Sequence, residues 1–285
     1  MKKVFLLLVF ITSLSFSQNK QSNFSFDTNF FDAVDKWVVF PNTDSSLVHA
    51  YGFIYLDNTA GFTFDFENKL VVLEDGLKNL KRETESGTVK YRLEPNTNKV
   101  AILTDEQIKE LNLPKVPTWL STYKEGSNDI SYLKNEGYHY NHVGACENAL
   151  KPLLKAYKMN PHFEGLEFEL AYAYNHLEKY EKAIPILQKA LKNNPKDFYF
   201  FRELGYSYVH LGKIKKAEST YTKGIEISDN DFEKSEMALN MAQAYFKLKN
   251  RKKFDQWAKL TRKYAQKNAD YVKYIESFEK NWNEE

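Results

Sequence analysis

Three histidines, His142, His176 and His210, stand 34 residues apart, and three tyrosines, Tyr138, Tyr172 and Tyr206, precede them by four in the same register. Imidazole titrates near neutral pH and is the commonest metal ligand, so such a ladder raises metal binding and a groove-lining or structural role. A shared metal fails on geometry. Neighbouring helices lie roughly 8–10 Å apart, so three side chains on one line cannot meet at one ion. No Asp or Glu joins them at a ligand spacing. Cys146 is the single cysteine; it cannot form an internal disulfide and reads as a small buried hydrophobe. His49 is the only histidine before residue 114, and Asp57, Asp65 and Glu67 read as solvated strand ends. No nucleophile elbow, phosphate loop or paired metal-ligand motif is present in the sequence. The residues therefore lead to no catalytic role, no cofactor and no metal. Histidine remains able to make partner binding pH-sensitive, and recognition is the chemistry left.

The ladder belongs to a longer repetition. GYHYNHVG (137–144), AYAYNHLE (171–178) and GYSYVHLG (205–212) superpose, as do ENALKPLLKAYKMNP (147–161) and EKAIPILQKALKNNP (181–195). Each unit has a small residue (Gly137, Ala171, Gly205), a tyrosine three later, a turn position (Gly144, Glu178, Gly212) and an alanine (Ala149, Ala183, Ala217). Ala156, Ala190 and Gly224 follow, and Pro161 and Pro195 close the first two units. Small residues let antiparallel helices approach, and proline cannot continue the second one. This pattern, over about 130–231, resembles the tetratricopeptide repeat family. A degraded fourth unit lies at 235–264, with Phe254 where a small residue is expected, and a helix at about 269–282 reads as a cap.

The resemblance implies that the first helix of each hairpin lines a concave groove for protein segments. Carried over, the groove residues are Lys134, Tyr138, Asn141, His142, Phe168, Tyr172, Asn175, His176, Tyr199, Arg202, Tyr206 and His210. Tyr138, Glu169, Tyr199 and Glu203 stand where the family's carboxylate-clamping members carry Lys, Asn and Arg. The implied groove is aromatic and of mixed charge. The tyrosines read either as contact anchors or as packing between hairpins.

Before the repeats the periodicity changes. WVVF (37–40), LVHAYGFIYLD (47–57), GFTFDFE (61–67) and KLVVLE (69–74) read as strands. In GFTFDFE, Phe62, Phe64 and Phe66 should be buried and Thr63, Asp65 and Glu67 exposed; as an edge strand it would accept a partner strand. Residues 88–94 and 99–104 flank Pro95–Asn98 as a hairpin, and Thr104 with Gln107 forms a capping box opening a helix over 105–113. Residues 114–129 read as a linker in which Trp119 pins the two parts together. The chain is thus expected to be α+β and two-domain. A flexible segment (18–29) leads to a small antiparallel β-rich domain (30–113), a linker (114–129) and an all-α helical solenoid (130–285).

Met1-Lys-Lys and the apolar run Val4–Phe16 predict a cleavable signal peptide over 1–17, with Ser15 and Ser17 before the cut. The formal net charge is only +2, which for an exported chain argues against nucleic acid. Positive charge gathers at 247–267; Lys252, Lys253, Arg262 and Lys263 are the candidate docking patch for an acidic surface, and the alternative is a solvated end helix. The sequence therefore predicts a periplasmic or secreted scaffold that binds a protein partner in the cell envelope. The alternatives are a structural subunit of an envelope complex, or an enzyme whose site joins His49 to acidic residues.

Overall fold

The computed structural model describes residues 24–42, 47–74, 76–81, 88–265 and 269–283. The signal peptide expected over 1–17 lies outside the described residues.

The N-terminal half is an antiparallel sheet of β1 (Lys36–Val39), β2 (Val48–Asp57), β3 (Gly61–Leu73), β4 (Gly76–Asn79), β5 (Val89–Arg92) and β6 (Ala101–Ile102). Its order is β4-β3-β2-β1-β6, with β5 also paired to β3. GFTFDFE and KLVVLE are one strand of 13 residues. β2 pairs along one side of β3, and β5 and β4 share the other. So β3 is interior, and the condition under which it would accept a partner strand is not met. Gly52 permits the bulge between β2 and β3, because a Cβ there would run into the Asp65 carbonyl.

Both sheet faces are covered. Val38, Ile54, Leu56, Phe62 and Phe64 pack under Val143 and Ala145 of the helical half. Trp37, Tyr51, Phe53, Tyr55 and Leu70 pack under α1 (Asp105–Glu110) and α2 (Leu120–Tyr123). Thr63 and Asp65, expected in solvent, are therefore only 6% and 7% exposed. Burial pushes the Asp65 carboxyl up, although Lys90 stands opposite it on β5.

Thr104 and Gln107 form the expected capping box at the start of α1. The expected hairpin over 88–104 does not form. Thr97 N–H donates to the Glu94 carbonyl at 2.8 Å, so the turn exists, but β5 joins β3 whereas β6 joins β1 across the sheet. Leu93 and Val100 are buried under the same face, and burying both anchors outweighs pairing two short strands. Two segments expected to lie outside the sheet domain pack against it. From Phe24 onward the chain lies on the sheet, with Phe24 and Phe26 against His49 and Thr28 bridged to Val100. Trp119, in the expected linker, packs on Phe53, Tyr55 and Tyr123, all in this half, and so does not pin the halves together.

Among the described residues the helical half is four antiparallel pairs and a last helix. They are α3 (Ile130–His142) with α4 (Cys146–Met159), α5 (Leu166–His176) with α6 (Tyr180–Asn193), α7 (Phe198–His210) with α8 (Ile214–Ile227), α9 (Asp231–Lys247) with α10 (Arg251–Tyr264), and α11 (Ala269–Lys280). A Cβ on Gly137 would enter Leu153, and one on Gly205 would enter the buried Tyr221 ring, so the small residues set how closely the pairs approach. Gly144, Glu178, Gly212 and Lys249 turn each pair with φ of 77°, 56°, 67° and 51°. Phe254, the large residue of the fourth unit, is fully buried against Phe246, Phe278 and Trp282. α11 and the turn after it supply the last two, so the anomaly is the seat of the cap.

Candidate partner-binding groove

First helices α3, α5, α7 and α9 lie side by side, and the residues they turn inward sort into two kinds. One kind holds neighbouring helices together. Asn141 Nδ2 donates to the Glu169 carbonyl and to Glu169 Oε2, both at 2.9 Å. One repeat later Asn175 Nδ2 donates to the Glu203 carbonyl at 3.1 Å and to Glu203 Oε2 at 2.9 Å. Asn141 and Asn175, expected as partner contacts, are 3% and 2% exposed and so lie in the helix interface. A polar side chain at that depth must find its partners inside the fold. Burial raises the Glu169 carboxyl above its usual range despite the Asn141 bond.

Arg202 is likewise occupied. Its guanidinium reaches Glu203 at 3.0 Å, Glu233 at 2.7 Å and Glu236 at 3.8 Å. Burial works against its charge, but Glu203, Glu236 and Glu233 more than offset that and raise its pKa. The same group lies over the Phe168 and Tyr199 rings at 5.6 and 5.4 Å. It fixes those two rings as the groove floor between α5 and α7.

The second kind reaches the open face. Tyr138 and Tyr199 are 43% and 38% exposed, and Phe168, Tyr172 and Tyr206 are half-buried. Each tyrosine of the ladder lies against its own histidine. Centroid distances are 6.0 Å for Tyr138–His142, 4.1 Å for Tyr172–His176 and 4.2 Å for Tyr206–His210. Tyr180 also stacks on His210 at 4.9 Å and lies 6.2 Å from Tyr206. Burial, with Lys247 nearby, lowers the His210 pKa. The histidines are thus ring partners of the tyrosines, and among the described residues no group of three His, Cys, Asp or Glu side chains could hold a metal. Tyr138, Asn141, His142, Phe168, Glu169 and Tyr172 enclose a cavity of about 150 Å³ between α3 and α5. Lys134 is half-buried at the start of this wall, beside Gly165.

The sheet closes one end of the groove. Asn58, in the β2–β3 turn, donates from Nδ2 to the Tyr132 carbonyl at 2.8 Å and accepts from Asn135 at 3.2 Å. His139 Nε2 donates to the Asn58 carbonyl at 2.9 Å. Tyr140 meets Phe62 edge-on at 5.1 Å and belongs to both cores. α3 therefore has α5 on one flank and the sheet on the other. The sequence singles out neither Asn58 nor His139; the turn signal at 58–61 is legible in it, but the docking target of that turn is not.

The basic patch dissolves in part. Lys253 pairs with Glu218 at 2.7 Å, and Arg262 makes two bonds to Glu279 at 3.0 and 2.6 Å. Lys263 lies over the Tyr264 ring at 4.9 Å, while Lys252 is exposed. Counting charge along a helix misses partners contributed by α8 and α11. Cys146 is buried, and burial raises its thiol pKa. His49 meets the Phe40 carbonyl at 3.1 Å and two phenyl rings, which is a packing role.

Residues 165–231 match the family described as YpiA-like, C-terminal tetratricopeptide repeats, a span running from α5 to the start of α9. Comparison with curated proteins gives no match. Among solved structures, the chain resembles TTC0263, a thermophilic TPR protein of Thermus thermophilus, at 20% identity and a TM-score of 0.48. That alignment covers 56% of this chain and 86% of the other. It also resembles MamA at 23% identity and a TM-score of 0.46, over 54% of this chain and 88% of that one. Residues 165–231 thus match tetratricopeptide repeats, and the helices, turns and small residues of the whole helical half follow a tetratricopeptide-like arrangement.

Proposed function

We propose that this protein is an exported scaffold whose concave groove holds an extended segment of a partner in the bacterial cell envelope. One observation carries the reading: the cavity of about 150 Å³ between α3 and α5, where Tyr138, Phe168 and Tyr172 present open ring surface. Aromatic residues with one face packed and one face wet make effective contact anchors. The basic start and apolar run at 1–16 support export, and no helix among the described residues is long and apolar enough to cross a membrane. N-terminal sequencing of protein from the envelope fraction should begin at Gln18; an intact Met1 would remove the export reading.

The groove is tested with a photo-crosslinking residue at Tyr172, compared with one at Lys189 on second helix α6. Adducts with a discrete partner are expected only from the groove position. Against that partner, Tyr138→Ala and Tyr172→Ala should each weaken binding by roughly 1–3 kcal/mol. Tyr138 is more exposed, so its loss should leave stability nearly unchanged, whereas Tyr172→Ala should also lower stability. Equal adducts from both positions, or full affinity in both variants, would count against the groove. A structural subunit without segment binding is the reading then left.

A further inference from the structure

The groove does not simply stop at the sheet. Its wall residues Tyr138 and His142 also line a larger cavity of about 260 Å³, shared between α3 and the sheet. The apolar lining is Phe62, Leu93 and Val143, and the polar lining is Arg92, Glu94 and His139. Gly61, at φ 92°, keeps the cavity open: a Cβ there would stand 2.8 Å from Arg92 Nη1 and 3.1 Å from His139 Nδ1. Those two nitrogens therefore both lie close to one point in the cavity wall.

We infer that this junction cavity binds a monocarboxylate with an apolar body, the chemistry of a partner segment's C-terminal residue. Three observations support it. First, among the described residues no carboxylate pairs with the Arg92 guanidinium, whereas Lys253, Arg262 and Arg202 each have at least one. A planar fork is the group best matched to a carboxylate. Second, a monoanion suits the charge better than a dianion: Glu94 lines the cavity, 3.8 Å from His142, and repels phosphate more than a carboxylate. Third, the apolar wall and the volume suit one aliphatic side chain. The site is built by β5, the β2–β3 turn and α3, so it is distinct from the inter-repeat helix faces. The location of the rest of the segment rests on the groove reading; the cavity itself does not.

His139 adds a pH dependence. The Asn58 carbonyl can only accept, so Nε2 carries the proton and Nδ1 is a bare lone pair while the ring is neutral. Burial, opposed by the bond to the Asn58 carbonyl, lowers its pKa, and Arg92 and His142 lower it further; Asp57 acts against them. Glu94 and the Tyr138 ring complete its surroundings. A carboxylate at Arg92 favours the imidazolium, whose Nδ1–H can donate to it. Binding then takes up a proton, and affinity rises as pH falls from neutral to about 5.

The test uses N-acetyl-leucine and its amide, with the Arg92 and His139 side chains followed by NMR in the full mature chain. The acid should shift both signals saturably, and more tightly at the lower pH, while the amide should not. Arg92→Gln should weaken the acid about tenfold or more, and Arg92→Lys by less. Arg92 is exposed, so neither change threatens the fold. Equal shifts from acid and amide, tighter binding of inorganic phosphate, or an unchanged affinity in Arg92→Gln would each overturn the inference. None of these outcomes touches the crosslinking result at Tyr172, so the cavity and the groove fail separately.

Discussion

At the scale of single residues, one difference between repeats has an energetic consequence. In the second repeat the Asn175 carbonyl oxygen accepts from Ser207 at 2.7 Å, which completes the amide's hydrogen bonds. In the first repeat the matching oxygen, Asn141 Oδ1, is buried without a partner among the described residues. The position that matches Ser207, 34 residues earlier, is Ala173. A buried acceptor left unpaired costs about 1–3 kcal/mol. Ala173→Ser should therefore stabilise the array by about 1 kcal/mol, read as a higher urea midpoint at unchanged m-value. Ser207→Ala should do the reverse. An unchanged midpoint in both would mean that the Asn–Glu ladder relaxes around the missing hydroxyl. The repeat makes these positions comparable in sequence, but only the side-chain geometry shows which oxygen goes unpaired.

At the scale of elements, the closing helix matters most. α11 is held by Phe278 and Trp282 against Phe246 and Phe254, and by the Arg262–Glu279 pair. That pair is about one-third exposed, so its contribution is about 1 kcal/mol or less. Reversing Arg262 to Glu would set like charges together and loosen the cap, so it is a poor test of docking to an acidic surface. Lys252 is the clean probe, being exposed on α10. Lys252→Glu should leave the melting temperature within about a degree or two. Arg262→Glu should lower it measurably and speed hydrogen exchange in 269–283 ahead of the rest. If both behave alike, the pair does not secure the cap. The same reasoning applies to Glu218, whose carboxyl burial would raise. Hydrogen bonds from Lys253, Tyr245 and Trp257 instead hold it below its usual range. That contribution is present above the unfolded pKa and is lost as pH falls through the folded one.

At the scale of the whole molecule, the sheet acts as the array's first cap. It covers α3 on the flank opposite α5, through Asn58, Phe62 and the Val143–Ala145 turn. A repeat array needs its terminal apolar faces covered, and here a sheet does at one end what α11 does at the other. Residues 127–283 expressed alone should be less stable than the full chain and should bind a hydrophobic dye through the exposed Tyr140–Val143 face. Asn58→Ala removes two side-chain hydrogen bonds across the junction and should cost about 1–3 kcal/mol. Its unfolding should then separate into two transitions by probes in the two halves. A single coincident transition in that variant would show that the apolar contacts alone couple them.

The sequence by itself determined the helical half: the 34-residue register places small residues, turn positions and tyrosines correctly, because each is dictated within one hairpin and its neighbour. The family resemblance proposed which first-helix residues would line a groove. It did not separate those that face a partner from those buried between helices, since Asn141 and Tyr138 differ by less than one turn. In the N-terminal half, local patterning found strand segments and the capping box but mispaired 88–104 and exposed Asp65. Those errors share one cause. Strand pairing and burial of the second sheet face depend on residues far away in sequence, such as Trp119, Leu120 and Val143, and only the tertiary structure brings them together. The junction cavity follows the same rule: Arg92, Gly61 and His139 share no local pattern and meet only because the sheet docks on α3.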